Sequence, residues 1–72
     1  MTFGEKLKRL REMHDLSQTA LGKALNCTQR KISYLETGQN EPSMEDLRRI
    51  CTYFGVSADY LLGLPYTLKK PD

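Results

Sequence analysis

Seventy-two residues, 28 % of them charged and 39 % hydrophobic, suffice for one small globular domain and leave no room for a two-domain enzyme, a barrel or a doubly wound sheet. The formal net charge of +2 is unevenly spread. Residues 1–40 carry seven lysines and arginines against four acids, and residues 41–72 carry four against five, so the first part permits a polyanionic partner. No apolar run approaches the roughly 18 residues of a membrane span. The opening MTFGEKLKRL has no signal-peptide core, so a cytoplasmic protein that meets no membrane is expected.

Helical spacing and caps recur along the chain, without sustained alternation of the strand type. Thr2 and Glu5 have the capping-box spacing. Phe3, Leu7, Leu10 and Met13 then form one stripe of a first helix over about residues 3–14. Asp15 breaks it. Ser17 caps a second helix over about 18–25, with Ala20, Leu21, Ala24 and Leu25 as its apolar positions. Asn26, a residue that tolerates positive φ, ends it. Thr28 caps a third helix over about 29–37, with Ile32 and Leu35 inward and Gly38 as its stop. Gln39-Asn40-Glu41-Pro42 reads as a loop. Ser43 with Asp46 imitates a capping box one methylene short. Leu47, Ile50, Cys51 and Phe54 mark a fourth helix that Gly55 ends, and Ser57 caps a short fifth, Ala58–Leu62, ended by Gly63. The expectation is an all-α, compact five-helix domain over 1–63, followed by a short tail over 64–72.

The second and third helices are joined by only Asn26-Cys27-Thr28, so they must cross steeply. Counted from Gln18, the crossing position holds Gly22, the apolar positions Leu21 and Leu25, the left-handed turn position Asn26 and the small position Cys27. Ile32 and Leu35 pin the third helix to the core. Every constrained position carries a suitable residue type, which is more specific than any single glycine motif.

LSQTALGKALNCTQRKISYLETGQNEPSMEDLRRICTYFGVSADYLLG resembles the helix-turn-helix DNA-binding domain of the Cro/lambda-repressor (XRE) family, and the likeness extends back through GEKLKRLRE to about residue 3. The sequence departs from the family at Asn26, where glycine is usual, at Gly22, often alanine, and at Ala20, often an acid. The resemblance implies a lambda-repressor-like fold. It also implies a sequence-specific transcriptional regulator of double-stranded DNA, most simply a repressor that occupies an inverted-repeat operator as a homodimer. The third helix would enter the major groove with Gln29, Arg30 and Tyr34 toward base edges. The inward placement of Ile32 and Leu35 agrees, since it leaves Gln29, Arg30, Ser33, Tyr34 and Thr37 on the outer face. Gln pairs with adenine N6/N7 and Arg with guanine O6/N7. Gln18, at the start of the second helix, and Ser17 are placed for phosphate. Lys31, Thr37, Gln39 and Asn40 flank the reading helix and would hold the second strand.

The family's typical pair of Arg on the first helix and Glu of L-E-x-G falls here on Arg11 and Glu36. It is read as a structural ion pair that also turns Arg11 towards a phosphate. In the resembled family the fifth helix and the segment after it often form the dimer seam, here Leu61, Leu62, Leu64 and Tyr66. Two reading helices would then lie about 34 Å apart. An antitoxin-type or other protein-interaction module is the alternative reading, with the tail docking a second protein and DNA binding autoregulatory. His14 reads as a helix-terminal residue near the negative end of the dipole. Cys27 and Cys51 read as small buried hydrophobes. No metal-ligand spacing, Ser-His-Asp arrangement or phosphate loop is present in the sequence. The expectation is therefore neither an enzyme nor a protein with a cofactor or metal.

Overall fold

The computed structural model describes residues 1–63; the expected tail, with Leu64 and Tyr66, lies outside the described residues. Five helices follow one another: α1 (Phe3–Met13), α2 (Gln18–Ala24), α3 (Gln29–Thr37), α4 (Met44–Phe54) and α5 (Ala58–Leu62). Each starts on a hydroxyl residue in extended backbone, Thr2, Ser17, Thr28, Ser43 and Ser57 in turn. That side chain accepts the third amide of the helix and removes one of the donors a helix start leaves unpaired. α1 and α4 have complete capping boxes, formed by Thr2 with Glu5 and by Ser43 with Asp46. α3, α4 and α5 stop on Gly38, Gly55 and Gly63, all left-handed at φ 84, 69 and 68°.

Leu7, Leu10, Leu21, Leu25, Ile32, Leu35, Ile50 and Leu61 form one buried cluster. Phe3, Leu16, Cys27, Leu47, Cys51, Phe54 and Val56 pack around it. α3 is the axis of the fold, with α1 and α2 packed on it; α5 closes the cluster against α1 and α4. Lys6 Nζ donates to the Tyr60 carbonyl at 2.7 Å and stands over the Tyr60 ring at 5.1 Å, which caps the end of α5 from the first helix of the chain.

Two glycines let backbones meet. A Cβ at Gly4 would stand 2.2 Å from the Glu36 carbonyl oxygen and 2.5 Å from that of Leu35, so α1 crosses the end of α3 there with no room for a side chain. A Cβ at Gly22 would stand 2.8 Å from the Cys27 carbonyl oxygen, and the Cys27 amide donates to the Gly22 carbonyl at 2.7 Å. The steep α2–α3 turn closes on that glycine.

His14, read as helix-terminal, is the C-cap of α1, with Nδ1 2.9 Å from the Leu10 carbonyl and its ring edge-on to Phe54. Three sequence expectations change. Met13 is 68 % exposed, because the buried face of α1 runs through Gly4, Leu7 and Leu10 and turns Met13 outward. Cys27 and Cys51 are half-buried rather than fully enclosed, and burial pushes both thiols up from their ordinary value. Leu61, expected at a seam, is fully buried, because α5 inserts it into the cluster that Leu7 and Ile50 share.

Candidate nucleic-acid interface

α3 buries Ile32, Leu35 and Glu36 and turns the opposite side outward. Gln29, Arg30 and Thr37 are exposed there, and Ser33 and Tyr34 are half-buried. The sequence places its five candidate outer-face residues on one side of one helix, and the structure does the same.

What holds that side in place is a chain of polar contacts that spacing alone did not announce. Arg11 Nε donates to Glu36 Oε2 at 2.6 Å, Arg11 Nη2 to Glu36 Oε1 at 3.2 Å, and Arg11 Nη1 to the Leu16 carbonyl at 2.8 Å. The same Glu36 Oε1 accepts from Gln18 Nε2 at 3.0 Å. Gln18 Oε1 in turn accepts from Gln29 Nε2 at 2.6 Å. The run Arg11–Glu36–Gln18–Gln29 therefore ties α1, the end of α3, the start of α2 and the start of α3 into one network. The hydrogen bond with Glu36 outweighs burial and holds the Arg11 guanidinium above its ordinary value. Glu36 is the one buried charged residue among those described, and no buried side-chain nitrogen or oxygen among them lacks a partner.

The network assigns tasks. Gln29 gives one amide hydrogen to Gln18 and keeps the other, with its carbonyl oxygen, for an acceptor–donor pair such as an adenine edge presents. Gln18 is half-buried and its side chain is already bonded at both ends, which leaves the backbone amide at the start of α2 as its free donor. Ser17 accepts from the Ala20 amide and keeps its hydroxyl hydrogen for an external acceptor. Arg11 spends three of its five N–H donors inside the protein, and its side chain is only 12 % exposed. Its main task is to clamp α1 to α3, and two donors remain for a phosphate.

Lys31 departs from the expectation of a free backbone contact: its Nζ lies 2.9 Å from Asp46 Oδ1 on α4. Burial pushes the Asp46 carboxyl up, but the hydrogen bonds from Lys31 and Ser43 prevail and hold it below its ordinary value. Thr37 donates to the Ser33 carbonyl at 2.9 Å and accepts from Gln39 Nε2 at 3.2 Å. Gln39 and Asn40 both point their amides back at the Tyr34 carbonyl, so the exposed loop after Gly38 stays beside the reading face. Arg49 also went unread from sequence: its Nη1 donates to the Leu25 carbonyl and fastens α4 to the end of α2.

A shallow apolar groove of about 360 Å³ runs between α4 and α5, lined by Met44, Leu47, Cys51 and Ala58 with Glu45, Arg48 and Thr52. Met44 is 85 % exposed and Leu62 46 %. No described helix is long and apolar enough to cross a membrane.

Residues 2–61 match a family model described as a helix-turn-helix domain. The HTH-type transcriptional activator BcrR of Enterococcus faecalis is 40 % identical over 63 residues, which are 88 % of this chain and 31 % of that protein. The HTH-type transcriptional regulator ImmR of Bacillus subtilis is 30 % identical over 70 residues, 97 % of this chain and 55 % of that protein. The chain thus spans about a third of the first relative and about half of the second. Among solved structures, the P22 c2 repressor in complex with a synthetic operator superposes with a TM-score of 0.82 at 32 % identity, covering 86 % of this chain and 94 % of that one.

Proposed function

This chain belongs to the helix-turn-helix family of DNA-binding transcriptional regulators, of the Cro/lambda-repressor type, and we propose that it represses transcription by occupying an inverted-repeat operator as a homodimer. The observation that carries the DNA-binding reading is the start of α3. Gln29 and Arg30 stand exposed there, while Ile32 and Leu35 farther along the helix are 0 % and 2 % exposed and hold it against the core. Side chains so placed reach base edges when the helix lies in the major groove. Repression is supported by the likeness to the P22 c2 repressor, which was solved in complex with a synthetic operator. The homodimer is supported by the apolar α4–α5 groove, where Met44 is exposed, by the exposure of Leu62 on α5, and by the few base pairs one reading helix covers.

Binding-site selection from random duplex DNA should return an inverted repeat with half-site centres about one helical turn apart. On that site Arg30→Ala should cost roughly 1–3 kcal/mol and relax preference at one position in each half-site. Equal weakening on selected and random DNA would confine Arg30 to phosphates. The selected site, placed over a promoter, should lower transcription in a purified system; a rise overturns the repressor assignment.

A further inference from the structure

α3 is gripped on both flanks. On one, Gln18 of α2 holds Gln29; on the other, Asp46 of α4 holds Lys31. The second grip joins opposite charges. Asp46 is itself anchored: its Oδ2 accepts the Ser43 amide at 2.9 Å, and its own amide donates to Ser43 Oγ at 3.0 Å. Its side chain is 15 % exposed and that of Lys31 39 %. A fixed, mostly buried anion therefore holds a cation that still reaches solvent. Drawing Lys31 away to a phosphate would leave the mostly buried Asp46 carboxylate with only its hydrogen bonds to Ser43, a loss greater than an exposed pair contributes. Arg30, the neighbouring cation on α3, has no ion-pair partner among the described residues.

We propose that Asp46 withholds the Lys31 charge from the DNA backbone and so restrains sequence-independent binding, leaving Arg30 as the cation of α3 that DNA meets. This rests on the DNA-binding function above. Binding to arbitrary sequence is carried almost entirely by cation–phosphate contacts, whereas base readout is not. Neutralising one cation at the edge of α3 lowers the sequence-independent share of the affinity for every duplex.

The test is a salt titration of binding, by fluorescence anisotropy, on the selected site and on a random duplex. It compares the parent chain, Asp46→Asn, Lys31→Met and the double variant. Asparagine keeps an oxygen for the Ser43 amide, so the cap of α4 is retained. Asp46→Asn should tighten random-duplex binding roughly three- to tenfold at low salt and steepen the slope of log affinity against log salt by about 0.9 per bound subunit. The ranking of sites should persist. Lys31→Met should leave the parent slope unchanged, and the double variant should return to it. An Asp46→Asn slope equal to the parent's overturns the proposal. So does a Lys31→Met slope shallower by about 0.9, because Lys31 would then already sit on a phosphate. Should Asp46→Asn fail to fold by circular dichroism, the Lys31→Met slope decides alone. A parent that binds neither duplex overturns the DNA-binding function and this proposal together; a parent that binds its selected site but gives either adverse slope overturns only this one.

Discussion

Gly4 occupies a position that a helix-propensity argument would give to alanine, since glycine inside a helix costs about 1 kcal/mol. The structure reverses the sign of that argument. A methyl group there would meet two carbonyl oxygens of α3 at 2.2 and 2.5 Å, both backbone atoms that cannot swing aside. Gly4→Ala should therefore destabilise the domain by about 1–3 kcal/mol or more. For a domain of this size that lowers the melting temperature by at least about 4 °C per kcal/mol, measurable by circular dichroism. A stabilised variant would mean that α1 sits farther from α3 than described. Nothing in one sequence marks Gly4 as special, because its constraint comes from Leu35 and Glu36, far along the chain on another helix. Gln18, read as placed for phosphate at the start of the second helix, is likewise drawn inward by Glu36 and Gln29, partners that separate elements supply.

At the scale of elements, the helices and their caps were legible almost residue by residue. A hydroxyl three positions before an amide, or a glycine after the last apolar position, is a local signal, and the five N-caps and three glycine stops needed no knowledge of the rest of the chain. What stayed hidden were the joints. Asp15 takes the left-handed conformation at φ 57° between α1 and α2, where the sequence marks only a break. Asn26, expected to be left-handed, is so at φ 62°. Asn26→Gly should keep or slightly raise stability, whereas Asn26→Val should lose about 1–2 kcal/mol by forcing a β-branched residue into that region; urea midpoints of the two variants check this. The α3–α4 joint carries a pH signature. The folded Asp46 carboxyl lies below its ordinary value of 3.8, so its contribution to stability is complete above that value and disappears as pH falls through the lower folded one. Asp46→Asn should be less stable than the parent near neutrality, with the gap closing in urea titrations as the pH falls below 3.8. A gap independent of pH would remove the Lys31 pairing as its cause.

For the whole molecule, the two leucines at the end of α5 divide the labour. Leu61 is fully buried and Leu62, the last residue of α5, is 46 % exposed. Leu62→Glu should leave the helical content and the melting temperature near the parent's while removing cooperative binding to a two-half-site operator. Leu61→Glu should unfold the domain, since a carboxylate would enter the core unpaired. Sedimentation and binding isotherms on full and half sites check both, and an undiminished cooperativity of Leu62→Glu would place the seam elsewhere. The amphipathic pattern made the two residues look alike, because each is an apolar residue at the end of a short helix and only the docking angle of α5 separates them.

The bond from Lys6 to the Tyr60 carbonyl spans 54 positions and joins the first helix to the last. Lys6 leaves the ribosome well before Tyr60 of the same domain. α5 has five residues, too few to persist as a helix by itself. Its support comes from α1, whose Lys6 donates to the Tyr60 carbonyl, and from the cluster that Leu61 joins. The core of the domain is therefore complete only once the last turn of α5 has been made and docked.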